Sequence, residues 1–130
     1  MARKNGMSLH LEECEQEDYL VVTVTGVIDS FDELMEYTWT VRSRAAALGY
    51  EKVLLDQRAM SFDFELGEIY LMAQELEKQS ISGVSTRWAV VCQQERLEWM
   101  ECVELFMRNR SYEYRVFSNM ESALGWFEKS

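Results

Sequence analysis

LLDQRAMSFDF, Leu54 to Phe64, is the stretch on which the fold turns. An apolar run that begins at Val53 meets an acid at Asp56 and then a mixed polar and aromatic segment. Beyond it, Leu66, Ile69, Met72, Ala73 and Leu76 recur at intervals of three and four. Three consecutive apolar residues, Val53 to Leu55, suit a short central strand covered on both faces. The spacing after the loop is that of an amphipathic helix. The stretch therefore reads as a strand, an opening loop and a helix beginning at Asp63, Phe64 or Glu65.

The same alternation extends in both directions. Downstream, SISGVS closes the helix and RWAVVC, Arg87 to Cys92, is a second short apolar strand. A helix from about Gln94 to Arg110 follows, then the strand YRVF, Tyr114 to Phe117. Ser118 to Glu121 has the form of a capping box, and Met120, Ala123, Leu124 and Phe127 give the last helix its inward face. Upstream, Leu9 and Leu11 alternate with polar neighbours, and YLVVTVT, Tyr19 to Thr25, is rich in β-branched residues. The short acidic link between these two strands predicts a hairpin, and Gly26 marks a break after it. Ser30 and Glu33 form another capping box, opening a helix that stops at Gly49. Phe31, Leu34, Thr38, Val41, Ala45 and Leu48 share its inner face, widened by Met35, Trp39 and Ala46. The order β-β-α-β-α-β-α-β-α predicts a five-stranded, mostly parallel mixed sheet with four helices and the first strand antiparallel at an edge.

Composition narrows the activity. The chain has 130 residues, 48% hydrophobic and 28% charged, enough for one domain with a proper core. Residues 1–7 are expected as a tail and 8–130 as the single domain. A net charge of −10 repels phosphate backbones and anionic lipid heads, so neither nucleic acid nor membrane insertion is expected. No apolar run approaches the roughly 20 residues that span a bilayer. MARKNGMSLH has no apolar core of a signal peptide. Cys14, Cys92 and Cys102 are odd in number and lack C-x-x-C spacing, which suits buried thiols in a reducing cytoplasm.

RWAVVC with its long following helix, the turn Arg108-Asn109-Arg110, the R-V-F strand and the A-L-x-W of Ala123 to Trp126 resemble a bacterial branch of the SpoIIAA-like, or STAS, domain family. The likeness spans Leu9 to Lys129. It implies a SpoIIAA-like α/β fold and a regulatory protein-interaction role. Members that antagonise anti-sigma factors carry a phosphorylated serine at the start of the helix after the third strand. Here that stretch is Ser61 to Gly67, with Ser61 ahead of Asp63 and no hydroxyl at the expected helix start. The carboxylates of Asp63 and Glu65 would repel an added phosphate, so loss of the serine switch is expected.

No catalytic constellation emerges. His10, the only histidine, alternates outward on an expected edge strand, far from any nucleophile. One histidine and scattered cysteines give no zinc ligand set, and no phosphate-binding glycine motif occurs. Asp56 ends a central strand as a receiver aspartate does, yet the acidic pair and lysine of such a site are missing. No metal or cofactor is expected. Asp56 and Arg58 lie where α/β sheets bind ligands, and the pair either contacts a ligand or locks the loop. Candidate ligand- or partner-binding residues are Asp56, Arg58, Ser61, Phe62 and Asp63. Eight Met and four Trp are many for this length. The broad apolar arc of the third helix makes Trp99, Cys102 and Phe106 candidates for an interface, with Met35 and Trp39 on the first. Two readings follow: a non-enzymatic interaction module that pairs with itself or another protein, or a binder of a small apolar or lipid-like ligand at the strand ends.

Overall fold

A computed structural model describes residues 9–78, 86–110 and 112–129. Five strands and four helices alternate: β1 Leu9–Glu15, β2 Leu20–Ile28, α1 Phe31–Leu48, β3 Lys52–Phe62, α2 Leu66–Lys78, β4 Arg87–Val91, α3 Leu97–Arg108, β5 Glu113–Phe117 and α4 Met120–Phe127. The strands lie side by side in chain order, β1-β2-β3-β4-β5. β1 pairs antiparallel with β2, and the other three pairings are parallel. Right-handed crossovers between parallel strands that succeed one another in space must all pass on the same side. So α1, α2 and α3 pack on one face of the sheet, and α4, which follows the last strand, folds back over the other.

Local chemistry sets the ends of α1. The Ser30 hydroxyl accepts the Glu33 amide at 3.2 Å, while the Glu33 carboxylate accepts the Asp29 amide and not that of Ser30. At the other end Gly49 is left-handed, φ 81°, and its N–H reaches the Ala45 carbonyl at 3.0 Å. Arg44 donates two bonds of 2.8 Å to the Glu13 carboxylate, tying α1 to the edge strand β1. On the opposite edge, the Glu104 carboxylate of α3 accepts the Val116 amide at 2.8 Å. That contact occupies a backbone donor on a sheet edge.

Several expectations need correction. β2 does not break at Gly26; it runs to Ile28 with Gly26 at φ 109°, a conformation suited to glycine. β3 is far longer than Val53–Leu55 and includes the segment expected as a loop, because β2 extends beside it and pairs with it as far as Phe62. α2 consequently starts at Leu66, and α3 at Leu97 after a short 3-10 turn over Gln94–Arg96. The last helix is capped by Asn119, whose side chain accepts the Ser122 amide at 2.8 Å; Ser118 is not the cap. Cys92 is buried, but Cys14 is exposed on the edge strand and Cys102 half-buried. SISGVS and the expected tail of residues 1–7 lie outside the described residues.

Candidate functional site

The site begins with an irregularity in β3. Thr23 pairs with Asp56 and Thr25 with Ala59, so β3 gains one residue over β2 between these pairs. This is a β-bulge. Side chains alternate across a strand, so Val53, Leu55 and Gln57 face α1–α3 while Leu54 and Asp56 face α4. The extra residue shifts the alternation, and Met60 and Phe62 return to the α1–α3 side.

Two polar groups leave the bulge in opposite directions. Asp56 is gripped by Arg58: Nε reaches Oδ1 at 2.9 Å, a terminal guanidinium nitrogen reaches Oδ2 at 2.8 Å, and the Arg58 amide also donates to Oδ1. The Arg58 hydrogen bonds hold the Asp56 carboxyl below its ordinary pKa. Gln93 donates to the Arg58 carbonyl at 2.7 Å, fastening the bulge to the segment after β4. Gln57 points the other way. It is only 8% exposed, and its amide donates to the Tyr37 hydroxyl at 2.8 Å.

Around Gln57 lies an apolar cavity of about 90 Å³ between the sheet and α1–α3. Its floor includes Leu55, Met60 and Tyr114; its roof includes Val41, Met72 and Val103. One end is closed by aromatic packing: the Phe62 ring lies 5.0 Å from Trp99, and the Arg96 guanidinium sits 4.5 Å from the centre of the Phe62 ring. Toward the ends of α1 and α3 the walls are Arg42, Met107 and Tyr112. The Arg42 guanidinium sits 5.7 Å from the Tyr112 ring, and its Nη1 is buried without a hydrogen-bond partner. Burial pushes the Tyr37 and Tyr114 phenols well above their ordinary pKa, so both are neutral donors at any physiological pH.

The candidates from sequence separate into four places. Phe62 and Trp99 meet at the aromatic end of the cavity. Asp56 and Arg58 pair with each other and line none of it. Ser61 is exposed within β3, opposite Val27, and Asp63 is exposed between β3 and α2. On the helical layer, Trp39 is 48% exposed, whereas Met35, Cys102 and Phe106 are half-buried. Phe106 packs edge-on against Tyr70 at 5.8 Å. His10 is exposed on β1. Among the described residues, no group of three or more His, Cys, Asp or Glu side chains could hold a metal, and no helix is long and apolar enough to cross a membrane.

Tyr37, Arg42 and Gln57 were not among the candidates. Tyr37 had a signal: it follows Leu34 by three and precedes Val41 by four, on the buried face. Gln57 had a weaker one, visible only when the period of two is allowed a single slip at the bulge.

No protein-family model matches the chain, and no curated protein matches it. Solved structures do. An uncharacterised protein of the DUF3478 family with a SpoIIAA-like fold, from Shewanella loihica PV-4, aligns over 92% of this chain and 93% of its own, with a TM-score of 0.55 and 19% identity. An anti-sigma factor antagonist from Mycobacterium paratuberculosis aligns over 94% of this chain and 96% of its own, with a TM-score of 0.59 and 15% identity. The five-stranded mixed sheet with four helices is the SpoIIAA-like fold.

Proposed function

We propose that the protein is a non-enzymatic regulatory module of the cytoplasm that acts by pairing with another protein or with a second copy of itself. The observation that carries this reading is the outer surface of the helical layer. Trp39 on α1, Leu71 on α2 and Leu105 on α3 are 48%, 52% and 58% exposed. Large apolar side chains exposed in one layer favour a protein partner. The fold shared with an anti-sigma factor antagonist is consistent with this role.

The module works without a serine switch. Ser61 lies within β3, five residues before α2 begins at Leu66, and the Glu65 amide is capped by the Glu68 carboxylate at 3.3 Å. A phosphate on Ser61 would gain no helix N-terminus and would sit close to Asp63 in sequence.

Sedimentation equilibrium of the purified protein, with native mass spectrometry of protein isolated from its host, tests the reading. Expected are a dimer or a stoichiometric protein complex, weakened by Trp39→Ala or Leu105→Glu, and no covalent phosphate. A bare monomer under both conditions overturns it. Trp99 is a poor probe, because its ring packs on Phe62 inside the fold. The cavity favours a second reading, a small apolar ligand held between the sheet and α1–α3.

A further inference from the structure

The cavity carries one charged side chain in an otherwise largely apolar wall, and that charge is incompletely used. Arg42 comes from the penultimate turns of α1, on the side of the helix that borders the cavity. Its Nη1 is buried and has no hydrogen-bond partner. Among the described residues no carboxylate pairs with it, and the guanidinium lies over the face of Tyr112 at 5.7 Å. An aromatic face attracts a cation but accepts no directed hydrogen bond as a lone pair does. A buried N–H donor without an acceptor carries its desolvation cost unrelieved. A carboxylate relieves it: its oxygens match the planar guanidinium fork, and the charge-assisted bonds are the strong kind.

The remaining walls choose the rest of the ligand. Val41, Met72, Val103 and Met107 are buried apolar side chains and line the cavity with Arg42. A volume of about 90 Å³ is several times the roughly 10–15 Å³ that one water molecule needs. Met60, Met72, Met100 and Met107 all border the space, and their unbranched thioethers can rearrange around a slender hydrocarbon. The chain's net charge of −10 gives an anion no long-range attraction, so selectivity must come from the short-range fork. The Tyr37 hydroxyl accepts from Gln57, which leaves its own proton free to donate within the same space.

We propose that this cavity binds a small apolar monocarboxylate, with the carboxylate on Arg42 and the hydrocarbon between Val41, Met72, Val103 and Met107. The proposal rests on the second reading above and adds the chemistry of the head group.

Methyl-¹³C-methionine NMR of the full chain tests it, with sodium hexanoate and 1-hexanol as probes of equal chain length. Hexanoate is expected to shift the Met72 and Met107 methyl signals and to bind at least tenfold more tightly than hexanol. In Arg42→Met that preference is expected to vanish while hexanol binding persists. Equal affinity of the two probes for the unaltered protein would overturn the head-group assignment and leave the apolar cavity reading standing. Methionine signals that move with neither probe would overturn both. The comparison of probes in the unaltered protein decides the matter even where Arg42→Met fails to fold.

Discussion

The two faces of the sheet are packed by different means. On the α4 side, Leu54, Ala89, Val91 and Ala123 are fully buried and Phe127 nearly so, with Tyr19 5.7 Å from the Phe127 ring. Small residues on both layers let an eight-residue helix come close to the strands. Arg87 reinforces the seat by donating to the Trp126 and Lys129 carbonyls at the helix end. On the α1–α3 side, three helices span the sheet, methionines supply much of the buried wall, and a cavity remains. One strand, β3, serves both faces. The face built from small and rigid side chains acts as a scaffold, and the face built from flexible ones retains room.

The strongest way to break that contrast is truncation. Phe127→Ala removes the largest buried side chain of the α4 cluster, in a place where little around it can collapse. It should cost about 3–5 kcal/mol of unfolding free energy. Met100→Ala, on the other face, should fall near the low end of its range, about 2 kcal/mol, because neighbouring methionines can relax into the space. Urea denaturation of the two variants measures the difference. Equal losses would mean that the two faces are packed alike.

A smaller effect sharpens the account of the cavity face. Tyr37→Phe leaves the buried Gln57 amide without its acceptor and should cost about 1–3 kcal/mol. Adding Gln57→Leu replaces both members of the pair by apolar groups and should recover most of that loss. Simple additivity of the two single losses would show that the hydrogen bond is not what couples α1 to β3.

These two faces were unequally legible in the sequence. Ala123 and Phe127 follow a helical period directly, and Val53 to Leu55 declare a strand covered twice. The order of elements followed from such patterns. The cavity face was harder because its decisive residues break the simple rule. Polar Gln57 and the charged Arg58 made residues 57–62 look like a loop, although backbone pairing with β2 holds them in a strand. Pairing of that kind depends on a partner about thirty residues away, which no local period reports. Arg42 was invisible for a different reason. A basic residue on a helix normally marks the solvent side, and only the packing of α1 over Tyr112 brings its guanidinium against the cavity. The surface was partly readable: Trp39 is exposed, while Trp99, equally prominent in the helical arc, turns inward onto Phe62.

The bulge offers the finest test, because adjacent residues there serve opposite faces. Asp56 is held on the α4 side by Arg58, whose side chain is 48% exposed. Solvent therefore screens the pair, and Asp56→Ala should cost about 1 kcal/mol at neutral pH. The sign of its pH dependence follows from the lowered pKa of Asp56. A carboxyl whose folded pKa lies below its unfolded value, about 3.9, stabilises the fold fully above that value. Its contribution is lost as pH falls through the folded pKa. The gap between the unaltered protein and Asp56→Ala should stay constant from pH 7 to about 5 and close below about pH 4. Urea midpoints of the two proteins across that range measure it. A gap that persisted unchanged at low pH would assign the stability of the bulge to its backbone pairing with β2 and remove the ion pair from the account.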